Sequence, residues 1–232
     1  MVKNEERNGP ATTKGEQTRE LIFATALELF REQGFDATTM QEIAARAGVA
    51  KSAAYYYFPS KEAIVRDYYE IFRDEQERIC TEIFAKTKDL RKRLGAVMDS
   101  TFDFSQNDRA LLGIVFRYTG EPAHPLSCLG PGTAEIRRRT RALFEQALSV
   151  ERLPKDLAQL LPLALWSMQM GLIVMFIYDN SPGQKRTRML AHGGIDFTIK
   201  MLALAKLPVL KPVRSKVMAL LREADLLPET SE

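Results

Sequence analysis

The residues able to do chemistry are few and scattered. The chain holds two histidines, His124 and His192, and two cysteines, Cys80 and Cys128. No HExxH, GxSxG or GxxxxGK[ST] pattern is present, so metal hydrolysis, nucleophilic esterase and nucleotide chemistry all lack their residues. The cysteines have no CxxC spacing and no histidine cluster beside them, which suggests neither a zinc site nor a disulfide framework and points to a reducing compartment. No cofactor and no metal are expected. What remains is recognition: from Ala44 to Lys61 there are three basic residues, Arg46, Lys51 and Lys61, and no acidic one, the arrangement a surface facing phosphate would want. A neutral loop is the alternative for so small a count.

The elements that position those residues read as helices. Of 232 residues 45% are apolar and 27% charged, a globular composition, and the net charge of +3 is too small to argue for nucleic acid by itself. Apolar spacing of three and four recurs along the chain while period-2 alternation is almost absent, so the fold class is all-α. The N-terminus lacks the apolar core of a secretory signal, and residues 1–16 read as a mobile tail. A first helix is expected from Thr18 to Gln33, ended by Gly34, with Phe35 folding back onto its apolar face. Thr39-Met40-Gln41-Glu42 is a capping box that starts a short second helix. Gly48 breaks the pattern, Val49 to Phe58 forms a third helical segment with Phe58 in the core, and Pro59-Ser60 ends it. A long fourth helix runs from Lys61 to about Lys88. Three helices with a tight glycine turn between the second and third describe a helix-turn-helix unit. Lys51, Ser52 and Ala53 occupy the opening turn of the third, where small and polar side chains let it enter a major groove. Further helices are expected near 89–105, 108–118, 133–149, 155–180, 184–205 and 211–226.

Through IFATALELFREQGFDATTMQEIAARAGVAKSAAYYYFPSKEAIV, Ile22 to Val65, the chain resembles the tetracycline-repressor (TetR) family of bacterial transcription regulators. The match covers about a fifth of the chain, with helix, glycine stop, capping box, glycine turn, Tyr-x-x-Phe and Ser-Lys-Glu in the family's order and spacing. It implies a DNA-binding domain over 17–62 and a ligand-binding and dimerisation domain over 63–232. It implies too that Lys51, Ser52, Ala53, Tyr55, Tyr56 and Tyr57 face double-stranded DNA, Tyr55 and Tyr56 foremost, with Thr39 and Lys61 on flanking phosphates. Packing beneath the helix is the alternative for Tyr55, and a merely solvated lysine for Lys61. Two residues depart from the family: Ala50 replaces the usual Ser or Thr cap of the third helix and Ala54 a larger apolar residue. A helix without its cap should fray in the absence of DNA.

One such unit reads a few base pairs, so a palindromic operator calls for a homodimer. Leu157 to Tyr178 contains no charged residue and must be buried on all sides. A membrane span is the rival, but Gln159, Pro162, Ser167 and Gln169 interrupt the run and no basic cluster anchors it. A helix packed on its own domain and on a second protomer explains the pattern, with the helix near 184–205 as companion, where Ala191, Gly193 and Gly194 permit close approach. The resemblance further implies a small-molecule effector. The flexible or aromatic residues at helical spacing that could line its site are Met98, Phe102, Phe116, Tyr118, Phe144, Trp166, Met170 and Met175, with plain core as the alternative. The basic runs Lys88 to Arg93 and Arg137 to Arg141 read as solvated faces or as a grip for an acidic ligand. The expectation is a cytoplasmic regulator, a repressor released by an apolar or amphipathic ligand. Its rivals are a ligand-independent regulator and a helical-bundle enzyme, the latter requiring a polar cluster inside the cavity.

Overall fold

The computed structural model describes residues 13–106, 108–118 and 120–227. Their contacts separate into two units that part after Asp67. All regular structure among the described residues is helical.

In the first unit α1 spans Lys14–Gln33. It starts inside the stretch read as tail because Thr13 and Glu16 form a second capping box: the Thr13 hydroxyl accepts from the Glu16 amide at 3.2 Å and the Glu16 carboxylate accepts from the Thr13 amide at 2.6 Å. The rest of that tail, residues 1–12, lies outside the described residues. One face of α1 buries Ile22, Ala26, Leu29 and Phe30; full burial of a side chain such as Ile22 or Phe30 contributes about 2 kcal/mol. Gly34, at φ 87°, stops the helix, and Phe35 returns to place its ring centroid 5.1 Å from that of Phe30. Helix α2 spans Met40–Arg46 and α3 spans Lys51–Tyr57. Between them the Val49 amide donates to the Ala44 carbonyl and the Gly48 amide to that of Ala45, the two bonds of a Schellman turn, with Gly48 at φ 66°. That left-handed residue sets the angle between α2 and α3. Phe58 closes the core at 1% exposure.

Helix α4, Lys61–Lys86, belongs to both units by sequence. The second unit adds α5 (Leu90–Ser105), α6 (Arg109–Tyr118), α7 (Ala134–Leu148), α8 (Lys155–Tyr178), α9 (Lys185–Ala205) and α10 (Lys211–Glu223). Helix α8 packs against α6, α7, α9 and α10, and α5 against α7 and α9. The core holds Leu94, Val97, Met98 and Phe102 of α5, Phe144 of α7, Phe176 of α8 and Ile195 of α9. Among the described residues α8 alone is long and apolar enough to cross a membrane, and it is this unit's central helix.

Neither basic run is a free cationic face throughout. Arg93 is buried over the Phe84 ring and donates to the carbonyls of Phe84, Thr87, Gln146 and Ala147, joining the C-terminal ends of α4 and α7. Arg139 reaches Glu70, Asp74 and Glu77 of α4 at 2.6 to 2.7 Å.

Asp179 ties the end of α8 to the start of α9. Its carboxylate accepts from the Ser181 amide and hydroxyl and from the Thr187 amide and hydroxyl, all at 2.7 to 2.9 Å. The Ser181 hydroxyl foremost, with those amides, holds its pKa well below the ordinary carboxylate range. A depressed folded-state pKa adds stability above the unfolded value near 4, stability that is lost as pH falls through the folded value. Asp179→Asn is therefore expected to lower the thermal midpoint at pH 7, with the gap to the parent closing as the pH drops below 4. A constant gap across that range would assign the effect to packing instead.

Candidate nucleic-acid interface and cavity

Helix α3 buries Ala54 and turns Lys51, Ser52, Tyr55 and Tyr56 outward. Lys51 and Ser52 are exposed at its start, and Ala53 is partly covered. Tyr55 is 44% exposed and Tyr56 82%, a large exposure for aromatic side chains. Tyr57 turns back: its hydroxyl lies beside Gly15 at the start of α1, and its ring meets that of Tyr56 edge-on at 5.1 Å. The outward face thus offers one ammonium, one hydroxyl and two phenols, which can reach phosphates and base edges in a groove.

The N-cap of α3 is Ala50, with no side-chain hydrogen bond to the first turn. Ala50→Ser is expected to stabilise the first unit by about 1 kcal/mol, read as a higher thermal midpoint; an unchanged midpoint would mean that water already serves those amides.

Thr39 does cap α2. Its hydroxyl accepts from the Glu42 amide at 3.1 Å and donates to the Glu42 carboxylate at 2.9 Å, while its own amide donates to that carboxylate at 2.7 Å. Lys61 lies over the Phe35 ring and donates to the carbonyls of Phe35 and Asp36, at 2.6 and 3.4 Å, so its ammonium fastens the α1–α2 loop to the start of α4. Arg46 pairs with Glu32 at 2.8 Å on the surface. Of the three cations counted between Ala44 and Lys61, Lys51 therefore projects outward from the reading helix.

The second unit contains a cavity of about 90 Å³. Of the eight residues expected at a ligand site, Phe116, Trp166 and Met170 line it. The others lie elsewhere. Met98, Phe102 and Phe144 are fully buried core, with Phe102 stacked on Phe176 at 5.0 Å. Tyr118 stacks on His124 at 3.9 Å, and Met175 is 49% exposed on α8. Sequence reading missed the α4 contribution of Tyr68, Tyr69, Phe72 and Arg73. The signal was present in the spacing of Tyr68, Tyr69, Phe72 and Arg73 at three and four residues along that helix. Among the described residues no group of three His, Cys, Asp or Glu side chains is arranged to hold a metal.

Comparison with known proteins agrees with this architecture. A family model described as bacterial regulatory proteins, tetR family, matches residues 22–68. Another, described as tetracyclin repressor-like, C-terminal domain, matches residues 93–220, more than half of the chain. The HTH-type transcriptional activator FasR of Mycolicibacterium smegmatis is 32% identical over 118 residues, 50% of this chain and 53% of that protein. The HTH-type transcriptional regulator AcrR of Shigella flexneri is 28% identical over 152 residues, 62% of this chain and 70% of that one. The chain spans about half the length of FasR and of the Bacillus subtilis regulator YdgC. A solved TetR transcriptional regulator from Nitrosomonas europaea has a TM-score of 0.59 at 19% identity, covering 80% of this chain and 98% of that one, a likeness of fold. With both units matched by family models and α3 in the place of a reading helix, the chain belongs to the TetR family of DNA-binding transcription regulators.

Proposed function

We propose that the protein is a cytoplasmic repressor that binds a palindromic operator as a homodimer and releases it when a small apolar or amphipathic effector occupies the second unit. The outward face of α3 carries this reading: Lys51, Ser52, Tyr55 and Tyr56 stand exposed on a helix set by the Gly48 turn. Repression asks nothing more of the protein than occupancy, since a dimer seated on DNA excludes other proteins from it.

Support for the dimer comes from α8 and α9. Ala164, Ser167, Gly171, Val174, Met175 and Tyr178 are exposed along α8, and Met189, Leu190, Gly193, Phe197, Met201 and Leu204 along α9. Each set repeats at helical spacing, and the two helices pack on one another. Gly194 serves that packing within the chain, because a Cβ there would stand 2.9 Å from the Met168 sulfur, whereas Gly193 faces open space.

The effector acts through α4 in this reading, because Tyr68, Tyr69, Phe72 and Arg73 line the cavity while Lys61 to Asp67 belong to the DNA-binding unit. An allosteric coupling of about 1–3 kcal/mol changes operator affinity roughly 5- to 150-fold. The cavity volume favours a second reading, regulation without a ligand, since 90 Å³ is below the roughly 300 Å³ of ordinary small-molecule sites. One assay separates the two: fluorescence anisotropy on the DNA upstream of the protein's own gene, against random duplex, at two salt concentrations. Binding tighter than random DNA by about a thousandfold, weakened by a compound that binds the second unit, supports the effector reading; weakening by none supports the other. Equal, steeply salt-dependent binding to both duplexes would place the operator elsewhere.

A further inference from the structure

The cavity carries a buried cation, Arg73, that forms no ion pair among the described residues. Arg73 is 5% exposed and lies over the Phe72 ring at 4.0 Å. Its guanidinium makes one hydrogen bond, from Nη1 to the Thr140 hydroxyl at 2.6 Å, and its Nε is buried with no acceptor. Among the described residues no carboxylate forms an ion pair with it: Glu77, one turn along α4, is engaged with Arg139. Arg137, which also lines the cavity, donates to the Cys128 carbonyl at 2.7 Å. Burial pulls the Arg73 pKa down to about 10, so the charge persists at neutral pH.

A second orphan lines the same cavity. Gln169 is 1% exposed and donates from Nε2 to Thr101 Oγ1 at 2.6 Å. Thr101 directs its own hydroxyl to the Val97 carbonyl at 3.0 Å, and with that arrangement the amide presents its NH₂ group to Thr101. Gln169 Oε1 is left buried with no donor. A buried charge and a buried acceptor without partners both cost free energy that a matching ligand removes.

We propose that this cavity takes a small monocarboxylate with a short apolar body and one hydroxyl, its carboxylate on Arg73 and its hydroxyl donating to Gln169. The inference rests on the effector reading and names the chemical class of that effector. Phe104, Phe116, Trp166 and Ile173 supply the apolar wall. At about 90 Å³ the space limits the body to a few carbons, since a cavity of about 150 Å³ is what holds benzene.

Trp166 is the chain's single tryptophan, so its emission reports on the cavity it lines. The test titrates the full chain with 3-hydroxybutyrate, butyrate and the neutral butyramide. The expected result is saturable binding of 3-hydroxybutyrate at least about tenfold tighter than of butyramide, as a charge-assisted hydrogen bond requires. Arg73→Gln should erase the preference for acid over amide, and Gln169→Leu only the preference for hydroxy acid over butyrate. Should Arg73→Gln not fold, Arg73→Lys, which keeps the charge without the planar fork, is expected to show an intermediate preference. Equal affinity for acid and amide, or silence toward carboxylates of two to six carbons while a neutral compound releases the operator, overturns the anionic class alone. Silence toward acidic, neutral and basic compounds alike, with operator affinity unmoved, overturns the effector reading with it.

Discussion

Replacing Tyr55 and Tyr56 together by alanine is expected to lower operator affinity about a hundredfold or more and to leave the thermal midpoint of the protein nearly unchanged. The magnitude follows from two side chains, each worth about 1–3 kcal/mol when it contacts a base edge or stacks on one. The unchanged midpoint follows from exposure: Tyr56 is 82% and Tyr55 44% accessible, so truncation leaves no cavity behind. Tyr57→Ala is the contrast, because Tyr57 packs beside Gly15, and its loss should register in stability as much as in DNA binding. Lys51→Ala separates phosphate from base contact. It should weaken operator and random duplex alike and reduce the slope of log affinity against log salt by about one, whereas the tyrosine pair should change the ratio of operator to random binding and leave the slope alone. Anisotropy over a salt series reads all three variants. A double tyrosine variant that binds the operator as tightly as the parent would show that α3 does not read DNA through this face.

The helices that carry that face were legible because local rules determine them. A capping box, a left-handed glycine and a Pro-Ser stop each act within four residues, so the start of α2 and the place of α3 could be read from spacing, whereas the set of α3 residues turned to DNA was implied by the family resemblance. The same rule applied to Thr13-Lys14-Gly15-Glu16 would have moved the start of α1 four residues earlier; a polar stretch before it made the box look like tail. The short 3-10 turns at Pro131–Thr133, Pro182–Gln184 and Pro208–Leu210, which lead into α7, α9 and α10, were less legible, because proline marks a break without saying which way the chain goes on. The cavity lay further from reach. Helical spacing tells which side chains share a face but not which face of which helix lies opposite, so Phe102 and Phe144 look as suited to a ligand as Phe116 and Trp166. Lys61 shows the complementary limit. Its charge and position suit a phosphate, yet the Phe35 carbonyl, twenty-six residues away in sequence, takes its ammonium. Arg93 likewise is the member of a basic run that folding draws inward, because four helix-end carbonyls converge on it.

Phe197→Glu on α9 is expected to convert a dimer into a species of the single-chain mass, 26.3 kDa, and to reduce operator affinity about a thousandfold, toward that of random duplex. Phe197 is 63% exposed in the isolated chain, and Tyr178 of α8 78%. Both stand on apolar stripes that a soluble monomer would leave in contact with water. A two-fold interface uses the same patch from both protomers, so one substitution places two carboxylates against apolar surface, where they lose hydration. The fold of each chain should survive, since the substituted side chain leaves no core contact behind; an unchanged helical signal with an altered mass would separate dissociation from unfolding. Operator affinity must fall with the dimer, because a single α3 contacts one major-groove segment and a palindrome is read by two, about 34 Å apart. Phe197→Leu, which keeps the apolar stripe, is expected to retain both mass and affinity. A Glu variant that keeps twice the chain mass and full operator binding would move the interface away from α8 and α9 altogether, leaving their exposed apolar stripes to some other partner. A Glu variant that loses the dimer but keeps operator affinity would instead mean that one protomer suffices for recognition, and the palindrome would be the part of the proposal to abandon.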